Sequence, residues 1–303
     1  MTTPTEKPQP LTELAQAVVQ HRKSTCQVTA AELLKSIGEI RQLDQSSEKT
    51  QSSGCVVAVL CVLAAVISVV CGAVFETPWP LLIAVATVGF GIVSVSKSLL
   101  SRKTNFENRR YELIAQLVGM LSTDMSPAEP IQVAINLLPQ NDKSKFRGKD
   151  KTGRWTVSHF HDPWLTLESR LLDGTKFSLH MAEKLQQRTC WKRGRSGKMK
   201  HKSKSKNSSE VALFLKVKPE KYPQLEQLGA TAHEAIKLPD WADIKSLEID
   251  SQSLSLRVTT RKSWQIGTRE KPTQTDGTQL VSTMFLSLYQ VLTLSREIGK
   301  SQR

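Results

Sequence analysis

Two long uncharged runs dominate the hydrophobic pattern of the chain. They cover residues 55–75 and 81–96, and the short segment ETPWP separates them. Both runs are apolar on every side of a helix, whereas a helix on the surface of a globular core keeps a polar face. About 20 apolar residues cross the hydrocarbon layer of a bilayer. The pattern therefore predicts a two-helix transmembrane hairpin with spans 55–75 and 80–100.

Basic residues flank the two runs on one side only. Arg41 and Lys49 precede the first run, Lys97, Arg102 and Lys103 follow the second, and the connecting segment has no Lys or Arg. The positive-inside rule then places both termini in the cytoplasm. We expect an integral membrane protein of the cell (inner) membrane, in which residues 1–54 form a cytoplasmic helical region and polar linker.

Helical patterns occur on both sides of the predicted hairpin. Residues 11–23 and 29–43 carry apolar positions at helical spacing, and Thr29 and Glu32 have the spacing of a capping box. The polar segment 44–54 is predicted to be a linker. Residues 101–124 are predicted to form a juxtamembrane helix. Its leucines are spaced for packing within the chain, and the alternative is that they form the contact of a homo-oligomer.

The pattern changes to alternation after residue 125. About six short alternating stretches occur between residues 130 and 260, and Asp173-Gly174 is a strong hairpin signal between two of them. Residues 279–298 are nearly uncharged but carry polar positions on one face, which favours a helix packed on a sheet over a third span. The sequence therefore predicts an α+β fold in which residues 125–303 form a cytoplasmic mixed α+β domain.

Positive charge is concentrated in one tract of this domain. The chain has a formal net charge of +14. Between Arg188 and Lys206 there are nine Lys or Arg residues and no Asp or Glu. The tract is predicted to be a basic loop over residues 188–207, and a hairpin that extends into this segment is the alternative. If the tract is extended, alternate lysines lie on one edge, about 6–7 Å apart. The candidate anion-binding residues are Lys192, Arg193, Arg195, Lys198, Lys200, Lys202, Lys204 and Lys206.

Two anionic partners fit this tract. Acidic lipid headgroups are the nearest anions to a domain held at a membrane, and a polybasic segment gains about 1 kcal/mol per Lys or Arg there. The alternative is a membrane-tethered, sequence-independent nucleic-acid-binding module, in which Trp191 and His201 supply stacking groups. An acidic protein partner and a solvated loop are further alternatives.

Recognisable catalytic or cofactor motifs do not emerge from the sequence. His159 and His161 in HFHD share a strand face and offer two metal ligands, with Asp162 or His180 as a third, but no spacing requires that third ligand. The segment RGRSGKMK lacks the glycine spacing of a phosphate loop. We therefore expect a non-enzymatic protein that has no metal or cofactor. The alternative is an enzyme that acts on a membrane-associated substrate, with a pocket built from residues distant in sequence.

Overall fold

The computed structural model describes residues 11–75, 79–101, 106–267 and 271–301. The chain divides into two compact units. One unit combines Met1–Ile37 with Arg109–Arg303, and the other is Gly38–Asn108. Each unit is described by itself below.

Helices and strands alternate irregularly along the chain. The described α-helices are α1 (Glu13–His21), α2 (Ala30–Phe75), α3 (Trp79–Ser101), α4 (Asn108–Leu121), α5 (Gly229–Ala235) and α6 (Gly277–Ser301). The described strands are β1 (Lys23–Val28), β2 (Ile131–Asn136), β3 (Phe146–Thr152), β4 (Trp155–Arg170), β5 (Lys176–Arg193), β6 (Met199–Lys216), β7 (Ala242–Asp250) and β8 (Ser253–Thr260). Short 3-10 turns occupy Ser122–Asp124, Lys143–Lys145 and Leu225–Leu228.

The strands form one large antiparallel sheet. Its order is β1-β2-β4-β5-β6-β8-β7, and β3 pairs with the first half of β4. The α+β class predicted from the sequence is thus confirmed, and the hairpin at Asp173-Gly174 is confirmed as well. Gly174 adopts a φ of +89° there, and the backbone N–H of Thr175 donates to the Asp173 carboxylate at 2.8 Å. A glycine is favoured at a turn position with positive φ.

The sheet has an inner face packed by helices and an outer face that is polar. On β5, Phe177, Leu179 and Met181 point to the inner face and are at most 3 % exposed. The ring of Phe177 meets that of Phe285 on α6 edge-on, with centroids 5.6 Å apart. Residues 279–298 therefore belong to a packed helix, as predicted, and its buried positions include Leu280, Met284, Leu288 and Leu292.

Three local predictions need correction. Residues 44–54 are not a linker, because helix α2 runs through them without a break. The capping box does form at the start of that helix, since the Thr29 N–H donates to Glu32 at 2.9 Å. Strands β1 and β3 were missed, and β4 to β6 are far longer than their apolar segments. Polar residues extend these strands because pairing with a neighbour satisfies their backbone groups.

The second unit contains most of α2 and all of α3. Gly91 on α3 lies against Cys61 on α2, since a Cβ placed on Gly91 would be 3.3 Å from the Cys61 Cβ. These residues lie at similar distances from Phe75 and Trp79, where the two helices end and begin, so α2 and α3 form a helical hairpin. Many apolar side chains of this unit are exposed, with Val62 at 62 % and Ile92 at 63 %.

The expected transmembrane hairpin is contradicted. Among the residues that the structure describes, no helix has both the length and the apolar character needed to cross a membrane. The connection at residues 76–78 lies outside the described residues.

Other expectations depended on the two spans and are corrected with them. These are the integral membrane protein of the cell (inner) membrane, the cytoplasmic placement of both termini and the membrane as a partner. The binding of acidic lipid headgroups had the same basis, because it assumed that spans 55–75 and 80–100 hold the basic tract at a bilayer. No described helix supplies such a tether.

Candidate functional site

The basic tract is the tip of the hairpin formed by β5 and β6, not a loop. Beyond Thr189, which pairs with Thr156, strand β4 no longer accompanies β5. On the other side, β8 accompanies β6 only from Ser209 onwards. The segment from Cys190 to Lys202 is therefore a two-stranded ribbon. We call residues Arg188–Lys206 the arm.

The strand register collects cations on the outer face of the arm. Lys192 pairs with Lys200, and Arg188 pairs with Lys204, so each pair shares a face and lies directly opposite across the hairpin. Alternation along the strands adds two more lysines to that face. The outer-face cations are Arg188, Lys192, Lys200, Lys202, Lys204 and Lys206.

These six cations are not neutralised within the described part of the chain, where none has a carboxylate at ion-pair distance. Arg188 donates to the Gln186 side chain at 2.9 Å, and the Lys204 ammonium lies 5.8 Å from the centroid of Trp155. Like charges directly opposite each other destabilise a sheet. An anion bound on this face relieves that repulsion.

Aromatic residues occupy the opposite face of the arm. Trp191 pairs with His201, and their rings meet edge-on with centroids 5.0 Å apart. The Trp191 side chain is 65 % exposed. An exposed indole offers a flat apolar surface on which a planar group can stack. The arm therefore presents cations on one face and a stacking surface on the other.

The turn of the arm carries the remaining predicted cations. The Gly194 N–H donates to the Lys198 carbonyl at 2.7 Å, and Gly197 adopts a φ of +76°. Arg195 and Lys198 lie within this turn. Arg193 lies on the aromatic face, where its Nε donates to the Gly197 carbonyl at 3.2 Å.

The eight predicted anion-binding residues are thus divided among three places. Five share the outer face, namely Lys192, Lys200, Lys202, Lys204 and Lys206, while Arg193 lies on the aromatic face and Arg195 and Lys198 lie in the turn. Arg188 and Trp155 also belong to the outer face and were missed as site residues. Their placement follows from pairing between strands, which sequence spacing within one strand does not show.

An ion-pair cluster marks the base of the arm. Glu210 on β6 accepts from Lys184 at 2.6 Å and from Lys245 at 2.9 Å. Burial opposes ionisation of Glu210, but the two lysine hydrogen bonds outweigh it and lower the pKa of the carboxyl to about 2. The Glu210 carboxylate is therefore charged and paired with Lys184 and Lys245, and it does not neutralise the cations of the arm.

The histidines of HFHD do not form a metal site. His159 Nε2 lies 2.9 Å from Asp150, and His161 is next to Lys184 in the strand register. Asp162 points to the inner face, because neighbouring residues on a strand alternate. Among the described residues, no cluster of three or more metal-binding side chains occurs.

A buried charge cluster on the inner face was missed by the sequence analysis. Arg110 on α4 donates to Asp162 at 2.7 Å and to Glu183 at 2.6 Å, and all three side chains are at most 3 % exposed. Lys145 contacts Asp162 at 2.8 Å, and Arg109 contacts Glu183 at 2.8 Å. Burial lowers the pKa of Lys145, and its hydrogen bond with Asp162 opposes that shift. The cluster ties α4 to the sheet.

Two sequence signals pointed to this cluster. Arg110 falls within the apolar stripe of α4, at helical spacing from Leu113 and Leu117. Glu183 takes an inward position in the alternation of β5, between Met181 and Leu185. Charged residues are rarely buried unless they are paired, so charges at inward positions of two elements predict a pair.

Comparison with known proteins does not supply a relative. No protein-family model, no curated protein and no solved structure matches the chain.

Proposed function

We propose that the arm binds nucleic acid without sequence preference. The observation that carries this proposal is the exposed group of six cations on one face of the arm, four of which face each other in two pairs across the hairpin. Phosphates repeat regularly along a nucleic acid, and Lys and Arg that neutralise them release bound counterions. A row of ammonium groups about 6–7 Å apart along a strand suits such a regular array of charge.

The shape of the arm supports the same ligand. The major groove of a DNA duplex is wide enough to admit a two-stranded ribbon. In a single strand, the unstacked bases can stack on aromatic side chains such as Trp191. The cationic face consists mainly of Lys and Arg, which bind phosphates whatever the base sequence, so we expect phosphate contacts to dominate and the sequence of the ligand to have little effect.

The test is binding of the full chain to labelled nucleic acid at several salt concentrations. Two unrelated 20-nucleotide single strands and their duplexes serve as probes, with fluorescence anisotropy as the measurement. The variant replaces Lys200, Lys202, Lys204 and Lys206 by Gln. We expect the slope of log affinity against log salt to become shallower by about 3, since each phosphate contact contributes about 0.7–0.9.

A charge-matched control distinguishes the arm from the overall charge. It replaces four exposed lysines elsewhere, Lys23, Lys218, Lys237 and Lys262, by Gln. We expect this control to keep most of the affinity and of the salt slope. Equal losses in both variants, or equally tight binding of polyglutamate, would contradict the proposal, because polyglutamate carries charge without phosphates or bases.

A further inference from the structure

The outer face of the sheet contains a second candidate site, far from the arm. It is a notch of about 620 Å³ near the turn between β4 and β5. Strands β1, β2, β4, β5, β6 and β8 line it, and none of its residues belongs to the arm. Ligand pockets usually have volumes of about 300–1,000 Å³.

One rim of the notch is a row of three cations. Arg170 pairs with Lys176, and Lys176 pairs with Lys216, so the three side chains stand next to one another on adjacent strands. Adjacent strands lie about 4.8 Å apart, and like charges at that separation repel. Glu129 is 3.9 Å from Arg170 Nε, at the limit of an ion pair. The row therefore favours an anion with more than one negative charge.

An exposed aromatic ring lies beside this row. Phe214 is on β6, two residues before Lys216, and its side chain is 38 % exposed. Its neighbours across the sheet are Ser178 and Ser255, whose side chains are small. A phenyl ring on a polar sheet face is a stacking surface for a planar group.

A hydrogen-bonded chain holds the polar side chains of the notch in place. The Ser178 hydroxyl donates to Glu168 at 3.0 Å. Ser178 Oγ also lies 2.8 Å from His180 Nε2, and His180 Nδ1 lies 3.0 Å from Thr166 Oγ1. Because the serine proton goes to Glu168, His180 donates from Nε2 and accepts at Nδ1. Both ring nitrogens are thereby occupied, which leaves the cation row and Phe214 for a ligand.

We propose that this notch binds a nucleotide unit. Its base stacks on Phe214, and its phosphate lies among Arg170, Lys176 and Lys216. Four cations, including Arg257, and two carboxylates line the notch, so it keeps an excess of positive charge for the phosphate. Neither the cation row nor the Phe214 ring depends on the arm. A loss of binding at the arm therefore leaves binding at the notch unchanged, and the reverse also holds.

A nucleotide unit can come from two sources. One is a free nucleotide, and the other is one unit of a strand that is also bound by the arm. Phe214 is eight residues from Lys206 on the same strand, or about 27 Å. A strand of a dozen nucleotides is long enough to reach both places, whereas adenosine 5′-monophosphate occupies the notch alone.

The test is titration calorimetry of the full chain with adenosine 5′-monophosphate, adenosine and inorganic phosphate. We expect the monophosphate to bind at least tenfold more tightly than either part. Phe214→Ala should weaken it about tenfold, because stacking of one base contributes about 1–3 kcal/mol, and Phe214→Trp should retain it. The Lys176→Gln/Lys216→Gln pair should weaken it by a similar factor and reduce its salt dependence.

Matched controls are Phe146→Ala, which removes another exposed ring, and Lys218→Gln/Lys237→Gln, which removes the same charge elsewhere. Neither should change binding, and neither should the Lys→Gln variant of the arm. If only a 12-nucleotide strand binds and Phe214→Ala weakens it, the source is a strand. Phosphate binding as tight as the monophosphate, or no effect of Phe214→Ala on any probe, would overturn the proposal.

Discussion

At the residue scale, the buried cluster around Arg110 is the most constrained feature of the sheet unit. The Arg110 guanidinium bridges Asp162 and Glu183, and its central carbon, Cζ, lies 5.2 Å from the ring centroid of Trp164. A buried ion pair contributes little net stability relative to an apolar replacement of the whole cluster, whereas the loss of one partner leaves a buried charge. The cluster therefore positions α4 rather than adding net stability.

Replacing Arg110 by Met should destabilise the protein by about 3–5 kcal/mol, because Asp162 and Glu183 lose a shared partner in a buried site. Urea unfolding followed by circular dichroism measures this change. Arg154→Met, in the exposed turn between β3 and β4, is the control and should change stability by less than about 0.5 kcal/mol. A loss below about 1 kcal/mol for Arg110→Met would show that the cluster is solvated.

Glu210 predicts a pH effect with a defined sign. Its folded pKa of about 2 lies below the ordinary value of 4.5, so its contribution to stability is complete above about pH 4.5 and is lost as the pH falls towards 2. Glu210→Gln should cost about 0.5–1 kcal/mol at pH 7, because both lysine partners are half exposed.

Denaturant unfolding of Glu210→Gln and the unmodified protein from pH 7 to pH 2 measures the effect. The difference between the two should shrink below pH 4.5 and vanish near pH 2. Glu248→Gln, which removes an exposed carboxylate from strand β7, serves as the control. A difference that stays constant over the whole range would contradict the role of the two lysines.

At the element scale, the contact between Gly91 and Cys61 defines how α2 packs on α3. A Cβ at Gly91 lies 3.3 Å from the Cys61 Cβ, close to the 3.5–4.5 Å that disulfides span. Small residues at such a contact let helix backbones approach closely. The apolar runs predict that this hairpin is helical, and the contact shows which residues of the two helices face each other.

Gly91→Cys should form a disulfide with Cys61 under mild oxidation, because a Cβ at residue 91 lies 3.3 Å from the Cys61 Cβ, just below the 3.5–4.5 Å that disulfides span. Proteolysis and mass spectrometry of the oxidised chain should recover the two peptides linked. The control Ile92→Cys places the thiol on an exposed position of the next residue and should not link to Cys61. Linkage at residue 92 instead of residue 91 would rotate α3 relative to the described packing.

At the scale of the whole molecule, the arm extends from a sheet that does not need it for its core. The inward alternation of buried residues on β5 ends at Leu185, and the first eight residues of β6 are exposed. The ribbon beyond Thr189 is paired on one side only. We therefore expect the part of β5 and β6 inside the sheet to contribute to the stability of the fold, and the arm to contribute to nucleic-acid binding.

Deleting residues 191–201 and joining Cys190 to Lys202 through Asn-Gly should keep the fold, because these two residues already face each other in the register and Asn-Gly suits a two-residue hairpin turn. We expect the melting temperature to change by at most a few degrees, while nucleic-acid affinity falls at least tenfold. Thermal unfolding and anisotropy measure the two effects. A collapse of the melting temperature would show that the arm supports the core.

The sequence by itself determined the local elements. Helical and alternating periods predicted α1, the start of α2, the packed helix α6 and the alternating strands at β2, β6 and β8, because a side chain's face depends only on its neighbours along the element. The alternate lysines of β6 were placed on one face for the same reason. The apolar runs predicted helices correctly, but their predicted membrane setting was contradicted, because the surroundings of a helix are not a local property.

Only the tertiary structure decided which distant residues meet. Strand pairing brought Arg188 and Lys192 opposite the lysines of β6, and it aligned Arg170 with Lys176 and Lys216 in the notch. Helix packing placed Arg110 between Asp162 and Glu183. These residues are separated by up to 73 positions, and their meeting depends on register and burial across the whole sheet, which local periodicity does not encode.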